Sequence, residues 1–320
     1  MVEGGTWLTR RHALAGLASG LAYLGLPKHA SARSSLRAGL VYEDSERFSA
    51  IYQSVLRGLD AASDDIGSIK RHLLRPGITG GEIEGWLADN SIDEWVLIGK
   101  RSCDEYRRYE KSRQAFTALT FIDPTENKNL HGVSLEFDPE RVLQTFKRLF
   151  PSHDRVHVVF RLGRDDWLNE LAKNAADRLG VDLIDTGTRD LQEATETISN
   201  ILRFGNPRTD CLWLLGAPGI TNADTAPTII ERAWRARFPV FTGRRGDVDR
   251  GFLLSAEPNF VEMGKQLASV VGRASRDTSG LLIEPTKSLR LVLNVRTARR
   301  VGLEVTPTLR EQIDVLVGDD

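Results

Sequence analysis

The chain has 320 residues, 41% hydrophobic and 27% charged, an ordinary globular composition with apolar mass for two cores. A formal charge of −1 at pH 7 argues against a general nucleic-acid-binding surface. Two cysteines, Cys103 and Cys211, without Cys-x-x-Cys spacing argue against a zinc site and read as small buried apolar residues, each a free thiol.

From the N-terminus, Thr9-Arg10-Arg11 precedes an apolar run, Ala13–Leu26, then Pro27 and Ala30-Ser31-Ala32. A basic start, a short apolar core and an Ala-x-Ala end make a signal peptide over residues 1–32, cleaved near Ala32. The run falls short of the ~20 residues that cross a bilayer. The arginine pair resembles a twin-arginine signal, although Ala13 and Ala15 stand where that pattern prefers Phe and Lys. No Cys follows the apolar core to carry a lipid. The expected location is the periplasm; the competing reading is a structural first helix.

Downstream, short apolar runs alternate with amphipathic stretches. Strands are expected at Ser35–Tyr42, Ile66–Leu74, Trp95–Ile98 and Ala115–Ile122, with a striped helix at Ser45–Ala62. Thr79 and Glu82 form a capping box ahead of a helix carrying Ile83, Trp86 and Leu87. Gly99–Ser102 is expected as a loop. Asn129–Pro139 then breaks the alternation, with Gly132-Val133-Ser134 read as the first strand of a second lobe; the competing reading is a surface loop in one larger sheet. Beyond it, strands are expected at Val156–Phe160, Val181–Ile184, Cys211–Leu215, Pro239–Thr242 and Phe252–Ser255. Helices follow most of these, including one capped by Asp190 and one at Phe260–Val271. An extended Leu289–Leu293 and a short helix, Thr297–Val301, come last. Such alternation makes an α/β protein of parallel sheets covered by helices.

No motif of catalysis stands out. G-x-G-x-x-G, the P-loop and Gly-x-Ser-x-Gly are absent, and the six histidines form no metal-binding pair. No cofactor is expected, and an exported α/β enzyme is the weakest reading. What remains is position: ligands of open parallel sheets bind beyond the carboxyl ends of strands. Those loops are Glu43–Ser45, Gly99–Ser102, Arg161–Arg164, Gly216–Thr221 and Thr242–Asp247.

Several segments carry a resemblance. Leu289-Arg-Leu-Val-Leu-Asn-Val-Arg-Thr-Ala-Arg-Arg-Val-Gly-Leu303 is similar to a C-terminal Leu-x-Leu-Val-Ile-Asn…Thr-Ala-Lys-Lys-Leu-Gly pattern. Asn129-Leu-His-Gly-Val-Ser134, Phe238-Pro-Val-Phe241 and Val248-Asp-Arg-Gly-Phe-Leu253 match further segments of the same family. From about Leu36 to Val317 the chain resembles the ABC-transporter substrate-binding proteins of the tryptophan-binding type. That resemblance implies a type I periplasmic-binding fold: two Rossmann-like lobes with parallel sheets joined by a hinge. It implies an N-terminal lobe of residues 33–130 plus 257–285 and a C-terminal lobe of 131–256 plus 286–320. It also implies a monomeric receptor that hands a small organic ligand to a membrane permease of an ABC transporter. A sensory module signalling to a membrane receptor is the alternative.

The cleft positions depart from the family pattern. Gly99-Lys100-Arg101-Ser102 stands for Gly-Thr-Pro-Ala, Phe160-Arg161-Leu162 for Tyr-Asn-Pro, and Gly243-Arg244 for Ser-Asp. Cations appear where neutral or acidic groups stood, which points to an anionic ligand. The expected binding residues are Glu43, Lys100, Arg101, Ser102, Arg161, Gly216, Thr221 and Arg244, with Arg161 and Arg244 as main contacts.

Overall fold

A computed structural model describes residues 37–43, 47–62, 66–75, 77–109, 114–122, 124, 129–216, 219–274 and 283–318. The expected signal peptide lies outside the described residues.

The first half runs β1 (Arg37–Glu43), α1 (Ser49–Ala61), β2 (Ser68–Leu74), α2 (Gly80–Asp89), β3 (Glu94–Ile98), α3 (Lys100–Tyr109), β4 (Ala115–Thr120) and β5 (Leu130–Phe137). The chain continues through α4 (Pro139–Leu149), β6 (Arg155–Arg161), α5 (Asp166–Leu179), β7 (Asp182–Thr188), α6 (Leu191–Phe204), β8 (Asp210–Leu214) and α7 (Ala226–Ala236). Then come β9 (Val240–Thr242), α8 (Arg245–Arg250), β10 (Leu254–Pro258), α9 (Phe260–Ala274), β11 (Ile283–Thr286) and β12 (Leu289–Asn294). α10 (Val295–Val301), α11 (Pro307–Glu311) and β13 (Val315–Val317) complete it.

Two sheets result. The first has the order β11-β5-β4-β3-β1-β2 and is parallel throughout. The second has the order β13-β12-β10-β9-β8-β6-β7, with β10 and β12 its antiparallel pair. Burial on both faces explains the near-continuous apolar strands. Leu40, Val96, Ile98 and Phe116 face α1 and α9, while Val41, Trp95 and Leu97 face α2 and α3. In the second sheet Val156, Val158 and Trp213 meet α4 and α5, whereas Val159, Leu212 and Leu214 meet α6 and α7. Period-2 alternation of side chains across each strand produces both layers.

Caps fall where the sequence placed them. The Thr79 hydroxyl and Glu82 carboxylate close a capping box, and Asp190 accepts from the Glu193 amide at 2.8 Å. The C-terminal segment Asn294–Thr297 is structural. Asn294 caps α10 by accepting from the Thr297 amide at 3.0 Å and donates from Nδ2 to the Val248 carbonyl at 2.9 Å. The Thr297 hydroxyl donates to the Gly251 carbonyl at 2.8 Å. Residues that carry the resemblance thus tie α8, β12 and α10 together.

One strand differs from expectation. β5 pairs with β4 and β11, so Gly132-Val133-Ser134 belongs to the first sheet and does not begin the second. Gly132 decides this: at φ +142° it lies so close to the Thr117 carbonyl that no Cβ fits. The crossing falls after Phe137, where α4 sends Val142, Leu143 and Phe146 into the second core. The chain returns through α9, which crosses α1 at Gly58 and Gly264, and β11, before leaving again for β12. These crossings are bonded to one another. The Asp138 amide donates to the Thr286 carbonyl at 3.0 Å and the Asn259 amide to the Ser288 carbonyl at 2.9 Å.

Candidate functional site

A cavity of about 560 Å³ opens where the carboxyl ends of the two sheets meet. Phe121 and Ile122 after β4, Glu136 near the end of β5, and Arg107 of α3 form one wall. The other is the turn after β6, Arg161 to Asp165, with Trp167 of α5.

Local backbone geometry places both walls. The β4–β5 register shifts between Thr117 and Thr120, and Leu119 there takes φ +60°, a costly conformation for a branched side chain. Such an irregularity at a strand end re-aims the residues that follow, here Phe121 and Ile122. On the opposite wall Gly163 takes φ +81° and donates to Asp166 Oδ2 at 3.1 Å, which closes the turn. The Asp165 amide donates to the Arg161 carbonyl at 2.9 Å. The Asp165 carboxylate in return accepts the Arg161 amide at 3.3 Å.

The charges divide into engaged and unengaged groups. Arg164 reaches Glu136 at 3.5 Å and Asp165 at 3.7 Å, and its guanidinium lies 5.8 Å from the Phe121 ring centre. One side chain of the second sheet thereby bridges to two residues of the first. Arg107 pairs with Asp104 at 3.4 Å. The Arg161 side chain is exposed and its guanidinium has no hydrogen-bond or ion-pair partner among the described residues. Phe121 and Leu162 are 45% and 46% exposed, two of the large apolar side chains most open to solvent.

The residues chosen from the sequence scatter. Arg161 lines the cavity. Gly216 takes φ +81° against the Asp165 carboxylate, 2.6 Å from where a Cβ would sit, and so supports the turn from behind. Thr221 and Arg244 meet each other: Arg244 Nη2 donates to the Thr221 hydroxyl at 3.2 Å and carbonyl at 3.3 Å. Arg244 also forms a fork with Asp247, through Nε at 3.2 Å and Nη2 at 3.1 Å. The second half of the expected loop Thr242–Asp247 is in fact the start of α8, which supplies Asp247.

The expected loop Gly99–Ser102 is likewise the first turn of α3. Lys100 is exposed and pairs along the helix with Asp104. Arg101 donates to the Arg75 carbonyl at 2.9 Å and lies 3.9 Å from Glu43. Glu43 also neighbours Tyr52, whose phenol burial and that carboxylate push up to about 12. Ser102 is fully buried, and its hydroxyl donates to the Ile98 carbonyl at 3.0 Å. Phe121 and Glu136 stand outside every expected ligand loop, whereas Leu162 and Arg164 fall within the loop Arg161–Arg164 and Asp165 directly follows it, none of the three among the expected binding residues. The period-2 pattern carries no sign of the bulge that turns Phe121, and Arg164 lay in a chosen loop but was passed over for Arg161.

Both cysteines are buried free thiols, Cys103 on α3 and Cys211 on β8. Burial pushes the Cys103 thiol up to about 11 and raises that of Cys211. Among the described residues no group of three or more His, Cys, Asp or Glu side chains could hold a metal ion. Among them, too, no helix is long and apolar enough to cross a membrane.

No protein-family model matches the chain, and no curated protein matches it. Solved structures do. A ligand-free, open substrate-binding protein with adhesive properties from Clostridium difficile is 16% identical over 88% of this chain and 99% of its own, with a TM-score of 0.57. An ABC domain in complex with L-Trp from Streptococcus pneumonia is 16% identical over 89% of this chain and 100% of its own, at 0.51. A conserved domain protein from Vibrio cholerae is 19% identical over 88% of this chain and 100% of its own, at 0.50. At these identities the likeness concerns the fold: two Rossmann-like lobes of the type I periplasmic-binding kind.

Proposed function

We propose that the chain is an exported solute receptor that captures a small organic molecule between its lobes and presents it to the permease of an ABC transporter. The observation that carries this reading is the cavity walled by both sheets, with the Arg161 guanidinium unengaged among the described residues and two apolar side chains open to it. Its volume lies in the range of small-molecule sites, roughly 300–1,000 Å³. Two structures of the same fold are named as a substrate-binding protein and as an ABC domain holding L-Trp, which supports binding over turnover.

The mechanism follows from the crossings. Chain crossings near Asp138, Asn259 and Lys287 are few-residue segments on which the lobes can turn, the way hinged proteins close around ligands. Closure brings the β6–α5 turn toward Phe121 and removes the ligand from water. Arg161 is the residue of the sequence-derived set placed to touch that ligand; Arg244, Thr221, Glu43 and Arg101 hold their own lobes in shape.

The test is mass spectrometry of whatever co-purifies with the periplasmic protein, followed by calorimetric titration into ligand-stripped material. Stoichiometric binding without chemical change of the ligand is the expected result. Steady turnover of the bound molecule would refute the receptor and revive an enzyme. Export is tested by fractionation beside an Arg10→Lys, Arg11→Lys variant, in which a mature protein beginning near Arg33 should fail to reach the periplasm.

A further inference from the structure

We infer that the ligand is an organic carboxylate with a flat apolar body, its carboxylate on Arg161 and its body against Phe121 and Leu162. This deepens the receptor reading and rests on it.

The anionic half follows from how the cavity arginines are engaged. Arg164 has Glu136 and Asp165, and Arg107 has Asp104. Arg161 has no such partner among the described residues. Gly219, at φ +134°, makes room for it, since a Cβ there would come within 2.8 Å of Arg161 Nη1. A cleft that closes on an unpaired guanidinium strips its water, which is costly unless an anion enters with it. The planar fork of arginine fits the two oxygens of a carboxylate.

The wall acids do not offer an ammonium site. Asp165 is 2% exposed and takes the Arg161 amide while facing Arg164. Glu136 is 7% exposed and faces Arg164. An amino acid's amine would have to displace Arg164 from both. A carboxylate without an amine meets no such competition, and this separates the inferred ligand from a zwitterion.

The apolar half follows from Phe121 and Leu162. One stands on each wall, and both are nearly half exposed in a cavity that would be wet when open. The strained Leu119 and the shifted β4–β5 register just before Phe121 hold that ring where it is. A ring held half open to water gains contact and sheds that water when a flat apolar body covers it.

The experiment titrates full mature protein, stripped of ligand, with matched triads: phenylacetate, phenylacetamide and L-phenylalanine; indole-3-acetate, its amide and L-tryptophan. Acetate serves as the carboxylate without a body. At least one aryl carboxylate should bind with Kd below ~1 mM, and at least about tenfold tighter than its amide, its amino acid and acetate. Arg161→Ala should weaken that carboxylate by tens of fold, on the scale of losing one partner of a desolvated charge pair, with Arg161→Lys between. Phe121→Ala should weaken it about fivefold or more, and Lys100→Ala should leave it unchanged. Tighter binding of an amide or amino acid, lost in Phe121→Ala, overturns the carboxylate and leaves the receptor standing. Equal carboxylate affinity in Arg161→Ala overturns the assigned contact. No binding by any compound, with nothing co-purifying, overturns the inference and the receptor together.

Discussion

Two strands of the second sheet lead into an arginine, Arg161 at the end of β6 and Arg244 two residues beyond β9, and the loops use it in opposite ways. After β9, Arg244 has Asp247 three residues on, at the start of α8, and the acid turns back onto the guanidinium. After β6, Arg161 has Asp165 four residues on, but that acid takes the Arg161 backbone amide and faces Arg164. The same pairing of residue types thus yields a closed structural unit in one loop and an available cation in the other. A cation beyond a strand end is a binding candidate only when no neighbouring carboxylate reaches its head group.

The contrast can be broken, and the largest effect is expected at Asp247. Its carboxylate is 3% exposed and holds Arg244 and Arg250, each at 3.1 Å. Asp247→Ala leaves two guanidiniums facing each other, and the loss should be about 2–4 kcal/mol, below a fully buried pair because both arginines remain partly solvated. Urea unfolding reads it, and an unchanged midpoint would remove the distinction between the loops. Next comes Arg161→Ala, expected to cost about 2 kcal/mol of ligand binding and under ~0.5 kcal/mol of stability, because its guanidinium bonds to no other side chain among the described residues. Comparable losses in binding and in unfolding would show it to be structural.

Gly219→Ala sharpens the same point from the side. The residue would carry a Cβ at φ +134° and press on Arg161, so stability should fall by about 1–2 kcal/mol and carboxylate affinity several-fold. Wild-type affinity in this variant would mean that Arg161 is free to move aside. Arg244→Ala should cost roughly 1 kcal/mol of stability and leave affinity alone, since Arg250 still meets Asp247. A loss of binding there would return Arg244 to the ligand.

The smallest effect lies at the other end of the second sheet and serves as a reference. Burial of Asp210 works to raise its carboxyl, but the Thr209 hydroxyl, the Asn206 amide and His157 together hold it below the usual range. A depressed folded-state value contributes stability above the ordinary carboxylate range, ~4, and that contribution disappears as pH falls through the folded value. Asp210→Asn should therefore flatten the loss of stability below about pH 4 by no more than ~1 kcal/mol, with binding at neutral pH unaffected. A stability profile with the wild-type acid slope would show that the hydrogen bonds do not hold the carboxyl down.

Legibility in the sequence followed the range of the forces involved. β3 and β8 stood out because strands buried on both faces read as continuous apolar runs, and Thr79 and Asp190 because a cap is satisfied within three residues. The first half of α8 reads as part of the loop Thr242–Asp247 because Arg245–Arg250 is short and polar, with only Val248 and the paired Asp247 buried. β11 was missed for a related reason. Ile283–Thr286 is four residues long and half covered, and it becomes a strand by pairing with β5, about 150 residues earlier in the chain. Arg161 is legible as a polar residue at a strand end; the engagement of Arg101 by Arg75 and Glu43, 26 and 58 residues away, is not.

The sequence by itself determined the alternating α/β plan, the helix caps and the strand ends at which a ligand could lie. These depend on periodicity and on contacts within a few residues, which a one-dimensional pattern carries. Tertiary structure alone decided that Gly132 belongs to the first sheet, through the approach of its backbone to Thr117. It alone brought Arg164 to Glu136 and Phe121, residues 28 and 43 positions away. It alone left the Arg161 guanidinium without a partner among the described residues while Arg244 closed on Asp247. Asp247 and Asp165 stand three and four residues after their arginines, and which acid closes on the head group depends on the turn the backbone takes between them, which that spacing does not encode.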